Sequence, residues 1–251
     1  QREIKEVAQE YGFTVGNFMY NNRYTSQYVA WCWDMGSTSV ANTTGDINTT
    51  VRANTTYGQS IVSWDGTGSG SSPTVGHGLS SVPELIIVKR RSSDNGAWPV
   101  QHKFDTTKYL QFQDVDAATT GATVFDNTAP TSSVFTVNAT NAVVNASGHT
   151  YIAYCFHSVA GYSKIDSFSG SGVSGNTITT GFRPALLIVK QTNAAGENWY
   201  MFDSTREPLG ELDTAIKLDV PDAEVTSSTK KVEFTDTGFK LNSTNSALNA
   251  S

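Results

Sequence analysis

The chain has 251 residues, with 17 Lys and Arg against 23 Asp and Glu, a formal net charge of −6, and only 16% charged residues. Thr, Ser and Asn fill 76 positions and Gly another 21, side chains that compete for backbone hydrogen bonds, crowd a helical turn or loosen it, so a helical bundle and a doubly wound α/β enzyme are excluded. A hydrophobic share of 38% with 5 Trp, 10 Tyr and 12 Phe excludes a disordered Ser/Thr tract, scattered basic residues argue against a nucleic-acid partner, and no stretch approaches the roughly 20 apolar residues of a membrane span, so no membrane insertion is expected.

The first residues, Gln1-Arg2-Glu3-Ile4-Lys5-Glu6-Val7, carry neither an initiator Met nor the apolar core of a signal peptide, and the chain reads as a piece of something longer. Residues 2–10 are a weak helix candidate, since Ile4, Val7 and Tyr11 share a face. Gly12-Phe13-Thr14-Val15-Gly16 and Tyr28-Val29-Ala30-Trp31-Cys32-Trp33 then read as strands. Further along, Leu85-Ile86-Ile87-Val88 and Leu186-Leu187-Ile188-Val189 are short apolar strands entered from Pro83 and Pro184, where a missing N–H harms a ladder least. Tyr151-Ile152-Ala153-Tyr154-Cys155-Phe156 is apolar on both faces and reads as a central strand. Gly- and Ser-rich clusters at 66–73 and 169–172 mark turns, and a single helical turn is expected near Asp222-Ala223-Glu224.

Internal repetition organises these elements. Pro83 to Lys89 matches Pro184 to Lys190 at a separation of 101 positions, and Trp98 and Trp199 keep it. Ser63-Trp64-Asp65-Gly66-Thr67-Gly68 matches Ser167-Phe168-Ser169-Gly170-Ser171-Gly172 at 104, as Asn145-Ala146-Ser147 matches Asn249-Ala250-Ser251. A partial third copy lies in front, where Phe13 and its neighbours correspond to Phe135 and Phe239, and 28–33 correspond to 151–156. The expected fold is all-β, with tandem β-sandwich repeats (jelly-roll-like or lectin-like) of roughly 100 residues. Residues 1–58 hold a partial N-terminal repeat plus linker, 59–160 a complete sandwich, and 161–251 a second repeat lacking its last strand.

Chemistry is sparse in this pattern. Cys32 and Cys155 occupy equivalent positions in different copies and are expected as buried free thiols rather than a bridge. No Cys-x-x-Cys or spaced His pair supports a metal, and no cofactor is expected. His77, His102, His149 and His157 fall in different elements without histidine counterparts. Glu211-Leu212-Asp213 resembles part of a glycoside-hydrolase carboxylate arrangement, yet Thr214-Ala215-Ile216 follows where a completing Glu belongs, so a solvated loop is expected and no catalytic residue is assigned. Asn-x-Ser/Thr sequons at Asn42, Asn48, Asn54, Asn138, Asn145, Asn242 and Asn249 are explained by composition alone.

The sequence resembles an uncharacterised tandem β-repeat family of virion proteins from marine tailed bacteriophages, tail-fibre or tail-associated structural proteins. The resemblance rests on Tyr28-Val29-Ala30-Trp31-Cys32-Trp33-Asp34-Met35-Gly36, Val51-Arg52-Ala53-Asn54, Ser60-Ile61-Val62-Ser63-Trp64 and Thr74-Val75-Gly76-His77-Gly78-Leu79. It continues through Gly161-Tyr162-Ser163-Lys164-Ile165, Thr180-Gly181-Phe182-Arg183-Pro184 and Trp199-Tyr200-Met201-Phe202-Asp203-Ser204-Thr205-Arg206-Glu207-Pro208. Residues 2–10 do not fit its pattern, and 18–27 replace its usual Asn-Ala-Ser-Gly turn. It implies a non-enzymatic virion component, either a tail-fibre module with adhesive capacity or a capsid decoration protein, whose partners are other virion proteins and copies of itself. From other classes, a binder of host-surface glycans would use Trp98 and Trp199 as sugar platforms, the bland alternative being that both rings are core, and a glycan depolymerase would act through Glu211.

Overall fold

The computed structural model describes residues 13, 15, 23, 24, 26, 28–93, 96–207 and 210–251. The helix expected over 2–10 lies outside the described residues, as does the front strand at 12–16 apart from Phe13 and Val15. The chain divides into two compact units, 1–33 and 34–251. In the first, a turn closes with Ser26 N–H donating to Arg23 O (3.1 Å), and Arg23 N–H donates to the Tyr28 hydroxyl (2.9 Å). Residues 28–33 are irregular and Cys32 is exposed, which corrects the expectation of an inward strand with a buried thiol. An apolar alternating pattern becomes a strand only where neighbours take up its N–H and C=O groups.

The second unit is all-β. Its strands are β1 (Val40–Asn42), β2 (Thr49–Asn54), β3 (Gln59–Asp65), β4 (Thr74–Gly76), β5 (Leu85–Arg90), β6 (Pro99–His102), β7 (Lys108–Gln111), β8 (Thr119–Thr120), β9 (Val134–Thr136) and β10 (Thr150–Phe156). There follow β11 (Asn176–Thr179), β12 (Leu186–Val189), β13 (Tyr200–Asp203), β14 (Glu211–Leu212), β15 (Thr214–Lys217), β16 (Val225–Thr226), β17 (Val232–Thr235) and β18 (Gly238–Leu241). The strands pair antiparallel in a sheet β1-β2-β3-β10-β5-β6-β7-β8, two sheets β11-β18-β17-β14 and β12-β13-β15-β16, and the pair β4-β9. The one helix among the described residues is the turn α1 (Ser246–Asn249), capped by the Asn245 side chain, which accepts from Ala247 N–H. The turn expected at Asp222-Ala223-Glu224 is irregular, its carboxylates drawn to Lys217 (2.8 Å) and Arg206 (3.0 Å).

Strand β10 is central as expected, lying between β3 and β5, with Tyr151, Ala153 and Cys155 fully buried and Ile152, Tyr154 and Phe156 half-buried on the other face. The β2–β3 hairpin, Asn54 opposite Gln59, crosses the boundary placed between 58 and 59. Strands β1 and β2 thus pair into the large sheet beside β3. One core gathers Val62, Trp64, Val75, Ile86, Val88, Phe135, Tyr151 and Cys155 between the large sheet and the β4-β9 layer. Another gathers Val189, Tyr200, Phe202, Phe234, Phe239 and Leu241 between the two four-stranded sheets. Two facing layers around an apolar centre are the sandwich solution to burying one face of each sheet.

The spacing legible in the sequence reappears in the bonds. Buried Asn145 accepts Thr67 N–H (3.0 Å) and donates to Ala139 O (3.0 Å), while its carbonyl accepts Gly68 N–H (2.8 Å). Buried Asn249 accepts Ser171 N–H (2.8 Å) and donates to Ser243 O (2.8 Å), while its carbonyl accepts Gly172 N–H (2.9 Å). A side chain at Gly66 would strike Ala146 O at 2.1 Å, and one at Gly170 would strike Ala250 O at 1.8 Å, so the same close approach demands glycine in both halves. The ring pairs agree as well: Trp64 and Phe135 meet edge-on at 5.9 Å, Phe168 and Phe239 at 5.8 Å.

A third cluster joins the halves. Trp199 packs with Val100 and Leu110, flanked by Leu85, Ile87, Phe112, Ala118 and Leu218. Its indole N–H donates to Gln111 O (3.0 Å), and nearby Ala118 N–H donates to Thr192 O (2.8 Å) and Gly196 N–H to Val115 O (2.9 Å).

Candidate functional site

Among the described residues, two exposed tyrosines form a ring pair. The β2–β3 turn is set by Asn54, whose side chain accepts Tyr57 N–H (3.3 Å), and by Gly58 at φ +65°. Strand β10 runs antiparallel to β3 with Phe156 opposite Gln59, so the chain leaving β10 returns beside this turn. His157 N–H donates to Gly58 O (2.8 Å), and the next turn closes as Ser163 N–H and Tyr162 N–H donate to Val159 O (2.9 and 3.0 Å). These two turns bring the Tyr57 and Tyr162 rings to 4.6 Å at 31°, although each is about 40% exposed. Beneath them Glu84 accepts Ser158 N–H (2.7 Å), the Ser158 hydroxyl and the Lys103 ammonium (2.9 Å), fixing the backbone that carries the second turn. Burial alone would raise the Glu84 pKa, but these donors hold it below the ordinary value, so the carboxylate stays charged. A rigid, uncharged, two-ring surface of this kind can stack on the C–H faces of a sugar or on another apolar surface.

Sequence reading did not single out Tyr57. Tyr162 was noticed only within Gly161-Tyr162-Ser163-Lys164-Ile165. The available signal is that a Tyr-Gly or Gly-Tyr pair lies shortly before each Ser-aromatic pair, Tyr57-Gly58 before Ser63-Trp64 and Gly161-Tyr162 before Ser167-Phe168.

Trp199 and Trp98 are placed differently. Trp199 is 7% exposed, sealed between the halves against Phe112 (4.9 Å), so neither ring face is open to a sugar. Trp98 is half-buried, with the Lys89 ammonium over its ring at 5.1 Å. Trp199 is thus packed inside the joint, whereas Trp98 keeps part of its ring exposed.

Glu211 lies in β14 and pairs with Lys231 (2.6 Å), whose bond holds the carboxyl below its ordinary pKa. A general acid for glycoside cleavage needs the opposite shift. Asp213 falls between β14 and β15, where its carbonyl accepts Ser227 N–H (2.8 Å).

The histidines are dispersed and structural in their contacts. His77 is fully buried; its Nδ1 accepts Leu79 N–H (3.1 Å), so Nε2 carries the proton toward Thr131 O (3.2 Å), and burial holds the ring below its ordinary pKa. His102 is 8% exposed, with no hydrogen-bond partner for either nitrogen among the described residues, and its pKa is lowered mainly by burial. His149 meets the Ser92 hydroxyl (3.0 Å) and His157 the Ser158 carbonyl (2.9 Å). Burial pushes the Cys155 thiol up to about 12, which leaves it inert at neutral pH. Among the described residues no group of three His, Cys, Asp or Glu is arranged to hold a metal ion, and no helix is long and apolar enough to cross a membrane.

An all-β protein of facing sheets with an exposed ring pair defines a class by architecture alone. A family model described as a domain of unknown function, DUF7483, matches residues 1–251, and the chain belongs to that family. No match to a curated protein or to a solved structure was found.

Proposed function

We propose that this chain is a non-enzymatic structural module of a virion appendage, built of tandem β-sandwich repeats of jelly-roll or lectin type. The observation that carries the reading is the buried asparagine staple made twice at a separation of 104 residues, by Asn145 and by Asn249. Chains that repeat a self-supporting unit make rods and arrays, and each unit needs only its neighbours for support. The joint cluster around Trp199 supports the same reading, because it fixes one half on the next through packing rather than a flexible linker. The Thr-, Ser- and Asn-rich surface and the resemblance to tail-associated phage proteins add to it. A reconstruction of the whole particle tests the proposal: density for this chain in a tail appendage is expected, density on the capsid would make it a decoration protein, and its absence from purified particles would overturn the virion reading.

The tyrosine pair favours a second role for the same module, adhesion to host-surface glycans. Glycan-array binding by the whole chain that is lost in both Tyr57→Ala and Tyr162→Ala supports this role. Binding that survives both substitutions removes these rings from it.

A further inference from the structure

The end of the large sheet that carries the tyrosine pair holds a second group of side chains. Gln59, Phe156, Leu85 and His102 stand opposite one another across β3, β10, β5 and β6, so the four share one face at this end. His102 is 8% exposed, and neither of its ring nitrogens has a hydrogen-bond partner among the described residues. The Phe104 ring, two residues on and 40% exposed, leans on the imidazole at 5.7 Å and 31°. A buried ring with two idle polar atoms costs the fold stability, a cost that binding sites carry for the sake of their ligands.

Glu84 ties this group to the tyrosines. Its carboxylate accepts Ser158 N–H on the tyrosine side and the Lys103 ammonium on the phenylalanine side, and that ammonium lies over the Phe104 ring at 5.4 Å. Strands β10 and β6 flank β5, so the strand ends that lead to Tyr162 and Phe104 are two strand spacings apart, roughly 10 Å. An occupant that touches both is longer than one sugar ring. The charges here are spent internally, Lys103 on Glu84 (2.9 Å), Lys108 on Asp105 (3.3 Å) and Lys164 on Asp166 (3.0 Å). With these three lysines each matched by a carboxylate, the surface complements an uncharged ligand rather than an acidic one.

The imidazole sets the chemistry of that ligand. Burial keeps His102 neutral at pH 7, with Asp105 and Lys108 the charged groups that act on it. A neutral imidazole offers one N–H donor and one acceptor nitrogen, and a hydroxyl-rich ligand can answer both. We propose that His102 and Phe104 form a second subsite for a neutral oligosaccharide that also lies on Tyr57 and Tyr162. Phe104 turns from the imidazole to stack on the C–H face of one sugar, and the uncovered His102 ring bonds that sugar's hydroxyls. For the class of ligand, the inference rests on the glycan reading of the tyrosine pair.

Titration calorimetry of the whole chain tests this, with glucose, galactose and mannose oligomers from monosaccharide to hexasaccharide and galacturonate oligomers of the same lengths as probes. A neutral hexasaccharide should bind more tightly than its monosaccharide, and His102→Leu and Phe104→Ala should each weaken the hexasaccharide about tenfold. His102→Leu should melt no lower than the wild type, so that its loss of binding is not a loss of fold. Hexasaccharide binding unchanged in either variant, a preference for galacturonate, or no neutral oligomer bound would each overturn the inference. Binding lost in Tyr57→Ala and Tyr162→Ala but kept in His102→Leu and Phe104→Ala would leave the tyrosine reading standing and remove this subsite. The converse pattern would remove the tyrosines and keep it.

Discussion

Two buried polar side chains, His102 and Asn145, act on stability with opposite sign. His102 has no partner for either ring nitrogen among the described residues, so folding strips its water and returns nothing. Its pKa is lowered chiefly by burial, so the folded chain binds fewer protons than the unfolded one just below the ordinary histidine value. Stability is accordingly complete above about pH 6.5 and lost as pH falls toward the lower folded value. His102→Leu should raise stability by about 1 kcal/mol at pH 8 and flatten the loss between pH 7 and 5, read from urea titrations of both chains; a variant as acid-sensitive as the wild type would contradict this. Asn145 is the reverse case, with every polar atom of its amide engaged. Asn145→Ala removes the side-chain bonds to Thr67 N–H and Ala139 O from a fully buried position and should cost about 1–2 kcal/mol. Ser147→Ala, which breaks the same sequon at an exposed position, should stay within about 0.5 kcal/mol. The sequon at Asn145 thus has a structural cause that composition alone concealed.

At the scale of elements, the turn after β13 shows a local motif that the repeat comparison had passed over. Phe202-Asp203-Ser204-Thr205-Arg206 reproduces Phe104-Asp105-Thr106-Thr107-Lys108, and in both the Asp accepts the N–H two residues on and pairs with the cation three residues on. Asp203 is 3% exposed; burial would raise its pKa, but Arg206 at 2.7 Å and two backbone N–H groups hold it low. Arg206→Ala strands a buried carboxylate and should cost about 3 kcal/mol near pH 7, with the difference from wild type narrowing as pH falls below about 4 and Asp203 protonates in both states. Equal costs at pH 7 and pH 3 in denaturant titrations would refute the assignment. Strands β5, β10 and β12 were legible in the sequence because each is an apolar run whose length and flanking turns admit little else. The boundary at 58 was not, because Tyr57-Gly58 reads as a break when it is the tip of a hairpin. Residues 28–33 carry a correct strand pattern without the neighbours that realise it. The Tyr57–Tyr162 pair was invisible for a different reason: the pairing of β10 with β3 joins residues 85 to 97 positions apart, and nothing local in either turn records it.

At the scale of the whole molecule, the question is how two separate cores come to lie in one compact unit. Each core closes on its own layers, and the link is the cluster in which Trp199 enters from the second half against Val100, Leu110 and Phe112 of the first. Trp199 belongs to neither core, and its indole N–H ends on Gln111 O across the joint. Removing this ring therefore leaves both cores packed and withdraws the coupling between them, whereas truncating Phe202 opens a cavity inside the second core alone. Trp→Ala at a buried site costs about 3–5 kcal/mol, enough to uncouple two bodies whose melting is otherwise cooperative. Scanning calorimetry should show one transition for the wild type and two resolved transitions for Trp199→Ala, the lower arising from the second half, where β12 pairs with β13 alone. Phe202→Ala, in contrast, should bring down the second half while the Trp199 joint still transmits the loss to the first. A single transition for Trp199→Ala, merely displaced to lower temperature, would mean that the halves are held by their backbone contacts at Val115, Ala118, Thr192 and Gly196, and that the indole fills space without coupling them.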